Sequence, residues 1–434
     1  MKNLFLCVSV VCCALASQFS SPAIAMKQET VLHSFAGAPD GAAPRANLID
    51  VKGTLFGTTG AGGAGTRGYG GTVFALNPAT GVETVEYSFC SKKNRKKLER
   101  CEDAQEPWAG LINVEGRLYG TTIYGGVNDA GAVFRFNPRT GAEKLLYSFC
   151  SQGNCEDGES PEAGLIDVNG TLYGTTVQGG GNKCSHADTG CGTVFALDPD
   201  TGAEKVLYSF CSQEGCTDGA IPNAGLIDLG GTLYGTTPDG GAYDGGTVFA
   251  LDPGTGAETV LYSFCSQQNC TDGEIPVAGL ISVNGTLYGT TENGGSGTTG
   301  TRLCPFGCGT VFAIDPGTGA ETVVHSFCSQ MKGNRCADGA QPEASLIDVR
   351  GALYGTTSQG GGNAGCVKTF ACGTVFSIDL NTGTEKVLYS FCRQQNCADG
   401  DHPDASLIEV KGTLYGTTLE GGAYGLGTVF AVRR

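Results

Sequence analysis

Cysteine recurs in this chain at spacings suited to local covalent closure. Six copies of Ser-Phe are each followed by a pair: Cys90/Cys101, Cys150/Cys155, Cys211/Cys216, Cys265/Cys270, Cys328/Cys336 and Cys392/Cys397. Three more pairs precede Gly-Thr-Val-Phe: Cys184/Cys191, Cys304/Cys308 and Cys366/Cys372. Each pair lies within one loop, so its thiols can meet without wider rearrangement, and oxidation to a disulfide is the expected chemistry. Closing a loop of about five residues contributes only ~2 kcal/mol of chain entropy. Such bridges stiffen loops and do not generate the fold. Zinc is the rival reading, but Cys-x4-Cys is not a strong zinc spacing and the chain has only four histidines. No metal or other cofactor is expected on the cysteines.

Three further patterns could carry chemistry. The second cysteine leads into x-Asp-Gly-x-x-Pro, which supplies Asp157, Asp218, Asp272, Asp338 and Asp399; Asp40 stands in the first loop, and one copy departs with Asp103-Ala104. A ring of carboxylates would take calcium or sugar hydroxyls, whereas an Asp-Gly turn caps its own backbone. Repetition in nearly every copy suits the folding role, and no DxDxDG loop marks a dedicated calcium site. The loop SKKNRKKLER concentrates Lys92, Lys93, Arg95, Lys96, Lys97 and Arg100. It offers contact to an anionic polymer; its plainer reading is a solvated loop. Asp401 and His402 are neighbours with no nucleophile motif nearby, so they are candidate binding residues and no catalytic residue is assigned.

A repeated scaffold must position these loops. The phrase LYGTT, once LFGTT, begins at Leu55, Leu118, Leu172, Leu233, Leu287, Leu353 and Leu414, 54 to 66 residues apart. Each copy contains four short segments rich in Val, Leu, Ile, Thr, Tyr and Phe, bounded by Gly, Pro, Asn or Asp, which are strand signals. Segments one and two meet at a tight turn such as Asn169-Gly170, and three and four at DPxTGxE, while the other links are long. Segments such as VLYSF are apolar on both faces, so neighbouring sheets must cover them. The last copy lacks its fourth segment, and an orphan fourth segment, ETVLHSF, stands at 29–35. The expected fold is all-β: a seven-bladed β-propeller of four-stranded antiparallel blades, closed by the N-terminal strand completing the last blade. An open β-solenoid is the alternative, and it leaves the matched ends unexplained. The long, cysteine-bearing loops then share one face, where binding is expected.

Residues 1–25 read as a signal peptide cut after Ala25, and 26–434 as one propeller. Cys7, Cys12 and Cys13 leave with the leader, and the other eighteen cysteines suit an oxidising compartment, extracellular or periplasmic. A net charge of −16 argues against nucleic acid, and no segment is expected to enter a membrane. The single tryptophan, Trp108, disfavours quinone-cofactor propellers, which are similar in shape.

The pattern LYGTT…GG…GTVF…TGxE…LYSF…DGxxP…A-LI resembles the GloVer tandem-repeat family of bacterial extracellular proteins. The resemblance covers nearly all of the chain after the leader. It implies a secreted repeat protein and offers no catalytic residues to carry over. Family members have alternative anchors, and no C-terminal anchor is expected after GTVFAVRR. Two functions follow as expectations. The first is a secreted, monomeric binding or scaffold module that engages a glycan or a protein through the stiffened loop face. The second is an extracellular hydrolase, lyase or lactonase with its site at the central opening of that face. A non-repeating polar cluster at that opening would distinguish the enzyme.

Overall fold

A computed structural model describes residues 29–64, 69–94, 100–182, 189–297, 304–333, 335–362 and 371–434. Among them are seven four-stranded antiparallel sheets, and no helix long and apolar enough to cross a membrane. In blade three the strands are Ile166–Val168, Thr171–Thr176, Thr193–Leu197 and Glu204–Ser209, hydrogen-bonded in that order. Blades one to six repeat this arrangement. In blade seven the outermost position beside Thr428–Arg433 is filled by Glu29–Ser34, with Glu29 opposite Val432 and Ser34 opposite Thr428. The N-terminal strand thus closes the ring.

The repeated phrases have mechanical reasons. The glycine of LYGTT pairs across the ladder with the phenylalanine of GTVF, as Gly174 does with Phe195. A Cβ on Gly174 would come within 2.7 Å of that ring and 2.8 Å of Leu165. The first threonine bonds to the next blade: Thr175 Oγ1 donates to the Ala224 carbonyl at 3.1 Å. The series runs round to Thr417, which donates to Ala46 of blade one at 3.1 Å. The second threonine meets the one in GTVF, as in Thr176 with Thr193 at 2.8 Å. The phenylalanine of SF stands edge-on to the next blade's GTVF ring, as Phe210 does to Phe249 at 5.1 Å and Phe35 to Phe74 at 5.2 Å.

Among the described residues the core is divided between the blade junctions. Apolar residues from adjacent sheets pack at each junction: Phe56, Val73 and Phe89 of blade one meet Leu118, Phe134 and Phe136 of blade two. At the closing junction Phe35 and Val429 pack with Leu55, Phe74 and Leu76. Every blade is therefore half of two cores, as the two-sided apolar strands require.

The cysteine loops take two forms. Where the cysteines stand five positions apart, the loop makes a short 3-10 turn, as at Gly153–Cys155 and Glu214–Cys216. The longer loops fold back as small hairpins, Lys93–Asn94 with Arg100–Cys101 and Met331–Lys332 with Arg335–Cys336.

Candidate functional site

The loop entering each blade and the loop joining its second and third strands pair on one face. Glu159 and Gln178 exchange both backbone hydrogen bonds, at 2.8 and 3.0 Å. Pairings at Ala220/Asp239, Glu274/Asn293, Ala340/Gln359 and Asp401/Glu420 repeat the contact. This face is a belt of mutually braced loops.

Disulfides fasten the belt. The structure joins Cys90–Cys101, Cys150–Cys155, Cys211–Cys216, Cys265–Cys270, Cys304–Cys308, Cys328–Cys336 and Cys392–Cys397. Cys191 and Cys372 are also disulfide-bonded, while Cys184 and Cys366 lie outside the described residues. Bridges of paired loops come together: Cys308 Sγ is 3.9 Å from Cys336 Sγ.

The aspartates of x-Asp-Gly-x-x-Pro serve their own loops. Asp157 is wholly buried. Its Oδ2 accepts from the Tyr147 hydroxyl at 2.7 Å and from the Ser151 amide and hydroxyl, both at 2.8 Å. Its Oδ1 accepts from the Gln152 amide at 3.1 Å. Asp218 and Asp272 repeat this set. Asp103 keeps the bonds from Tyr87 and Ser91 despite the departing Ala104. These carboxylates use their acceptor capacity inside the loop, as a capping turn does. Asp157→Ala should lower stability by about 2–4 kcal/mol, because several buried donors lose their acceptor together. A thermal melt unchanged from the parent would refute that role.

Lys92 donates to Glu143 at 3.1 Å, an ammonium 61% exposed meeting a carboxylate 1% exposed. Its charge serves the junction between blades one and two. Lys93 and Arg100 contribute backbone to the small hairpin; Arg95, Lys96 and Lys97 lie outside the described residues.

His402 leads to a group that reading along the chain did not single out. Its Nδ1 is 3.3 Å from Asp401 Oδ1 and 3.9 Å from Glu420 Oε2. Burial alone would lower the imidazole, but Asp401, with Asp404 and Glu420, holds it above its ordinary value. Two residues on lies Asp404, in the sequence Pro-x-Ala. The same position in blades one to six holds Arg45, Trp108, Glu162, Asn223, Val277 and Glu343. The flanks are fixed by packing: the proline sits against the previous blade's GTVF glycine (Pro222 Cδ would lie 2.7 Å from a Cβ on Gly192), and the alanine carbonyl accepts the inter-blade bond. Only the middle residue is free to differ.

These seven positions converge on the axis. Two residues further along each loop, Asn47, Gly110, Gly164, Gly225, Gly279, Ser345 and Ser406 line a central cavity of about 370 Å³. The Arg45 guanidinium lies 4.5 Å from the Trp108 ring centroid. Its charge reaches Glu162 of blade three and Asp404 of blade seven. Asp404 is pushed up to about 7 by burial and by Glu343, against the pull of His402 and Arg45. Glu292 is likewise raised to about 7 by burial and Glu343. Ser358 Oγ donates to Glu343 at 2.7 Å, and Gln341 Nε2 to Glu292 at 3.2 Å. Buried oxygens of Asn223, Gln341 and Asp404 have no hydrogen-bond partner. The mouth is thus a non-repeating, acidic polar cluster with one indole face. Its signal was present in the sequence as an unlike residue between two constant ones, visible only when the seven copies are aligned.

The molecule is similar in fold to an oligogalacturonate lyase from Vibrio parahaemolyticus, at 10% identity, 93% of each chain covered and a TM-score of 0.50. An oligogalacturonate lyase in complex with manganese gives 10% identity, 93% of this chain and 92% of that one, and 0.49. A chain of a nidogen/laminin complex gives 16%, 76% and 90%, and 0.39. No curated protein sequence matches. The Gloeobacter/Verrucomicrobia repeat matches residues 21–187, 96–303, 185–367 and 304–434, so that the chain belongs to this repeat family.

Proposed function

We propose that the protein is a secreted, monomeric glycan-binding module whose ligand sits at the mouth of the central cavity. The observation that carries this reading is the Pro-x-Ala ring, whose middle position takes six residue types over seven blades while its flanks stay constant. A purely structural position would repeat like the rest. Carboxylates accept hydrogen bonds from sugar hydroxyls, and Trp108 offers a flat apolar face for a pyranose ring. The acidity of the mouth selects neutral over anionic glycans. Tyr69, Tyr243, Phe306 and Tyr424 add aromatic surface, each more than half exposed, on the loops between second and third strands. The leader and the bridged cysteines support export.

A glycan array followed by calorimetry tests this. Neutral oligosaccharides should be retained, and Trp108→Ala should weaken the best of them at least tenfold with an unchanged melting temperature, a loss of about 1.4 kcal/mol. Equal binding by that variant, or retention of anionic glycans alone, would overturn the reading.

Catalysis is the second reading, favoured by one observation. Asp404 is raised to about 7 beside the charge of Glu343. A carboxyl whose proton is held up to neutral pH beside a second acid is a pairing used in glycoside cleavage. Incubating the retained oligosaccharide with the protein and weighing the products separates the two. A binding module returns it intact; an enzyme cleaves it, and Asp404→Asn stops the cleavage.

A further inference from the structure

Each blade junction repeats one side-chain cluster outside the central mouth. The aromatic residue of LYSF sits between the loop aspartate that follows it and the glutamate that opens the next blade's outer strand. Tyr87 donates to Asp103 at 2.8 Å and lies 3.2 Å from Glu143. Tyr147 stands likewise between Asp157 and Glu204. In five junctions the residue is tyrosine: Tyr87, Tyr147, Tyr208, Tyr262 and Tyr389. In the other two it is histidine, His33 and His325.

That exchange changes the chemistry. A neutral phenol between two carboxylates is a hydrogen-bond donor and a poor ligand. An imidazole there offers a nitrogen lone pair, so the junction becomes one His and two carboxylates. The ligand atoms of His33, Asp40 and Glu83 all lie within 4.8 Å of one another. His33 Nε2 is 3.2 Å from Asp40 Oδ2, and His325 Nε2 is 3.5 Å from Asp338 Oδ2. A tetrahedral site with arms of about 2.05 Å has ligand–ligand edges of about 3.3 Å, between those two distances. A second observation points the same way. His325 Nε2 is buried without a hydrogen-bond partner. At Tyr87 the phenol lies within 3.2 Å of both acids; His33 meets Asp40 in a hydrogen bond of 3.2 Å.

We propose that His33–Asp40–Glu83 and His325–Asp338–Glu385 are two divalent metal sites of the borderline class that takes mixed nitrogen and carboxylate ligands, Zn²⁺ or Mn²⁺, with water completing each shell. The first joins the closing N-terminal strand to blade one, and the second joins blade five to blade six. Each therefore staples neighbouring blades. Neither involves the cysteines, and neither depends on what the central mouth binds.

The test uses the full, oxidised chain without an affinity tag, stripped of metal and titrated with Zn²⁺ and with Mn²⁺ in calorimetry, with metal content read after dialysis. His33→Tyr and His325→Tyr rebuild the junction that the other blades already use, so both variants should fold and melt like the metal-free parent. The parent should bind two ions per chain, each single variant one, and the double variant none. At about 100-fold excess over Kd, each site should raise the melting temperature by about 3 °C. A parent that takes up neither ion, or a double variant that keeps the parent's stoichiometry, overturns the proposal.

Discussion

Deleting residues 26–36 unfolds the protein or drives it into oligomers. The deletion removes the outer strand of blade seven, Glu29–Ser34, and leaves Thr428–Arg433 as an open edge. It also removes Phe35, which is wholly buried, stands 5.2 Å from Phe74, and donates its amide to the Gly427 carbonyl at 3.0 Å. Phe35→Ala alone should cost about 3–5 kcal/mol, a large part of a typical total of about 5–15 kcal/mol. Losing the ladder and the junction core with it exceeds what an array of two-sided sheets can absorb. The exposed edge would present Val429, Phe430 and Val432, all buried in the closed ring, which is a template for pairing with another copy. Size-exclusion chromatography and a thermal melt read the outcome. A truncated chain that stays monomeric and melts with the parent would sink the closed ring. Phe35→Ala should fall between the two, still closed but melting several degrees lower.

The ring was legible in the sequence because the repeat states each packing rule seven times. An orphan ETVLHSF at one end and a missing fourth segment at the other require each other, whatever the details of the loops. The junction threonines were less visible: LYGTT shows that two hydroxyls are wanted, but not that Thr175 reaches the following blade while Thr176 stays in its own. Asp103 shows how a motif can mislead. Its copy departs in letters, yet Tyr87 and Ser91 bind it as their counterparts bind the other aspartates. The bonds come from Tyr87 on the strand and from Ser91 at the start of the loop, so the residue after the aspartate matters little. The central mouth was the least legible part. Arg45 and Asp404 are 359 positions apart in the chain, and only closure places them within reach of each other's charge. Attention to what repeats finds the scaffold, whereas the candidate site consists of what fails to repeat between Pro and Ala.

Stability should be greatest near pH 5 and should fall as the pH rises through 7. The cause is the glutamates that open the outer strands. Burial, reinforced by the loop aspartate of the same junction, pushes Glu204, Glu258 and Glu321 each up to about 7. Glu83 and Glu385 reach about 7 as well, also chiefly through burial. A carboxyl raised in the folded chain holds its proton there after the unfolded chain has released its own. The folded state therefore binds more protons between the ordinary glutamate value and 7, and its stability declines across that interval. These side chains are partly exposed, so each is discounted for screening to roughly 1 kcal/mol. Five together give a fall of about 5 kcal/mol, or about 6 °C in melting temperature for a chain of this size. Asp40, Asp198 and Asp252 are lowered instead and act in the opposite sense, removing stability as the pH drops through the acid range. The two trends place the optimum near pH 5. Glu204→Gln, Glu258→Gln and Glu321→Gln keep the shape of the protonated side chain and delete its titration. In metal-free buffer the triple variant should melt like the parent at pH 5 and lose about two-fifths as much stability by pH 8. A parent whose melting temperature rises steadily from pH 5 to 8 would show that these carboxyls ionise without cost at the blade junctions.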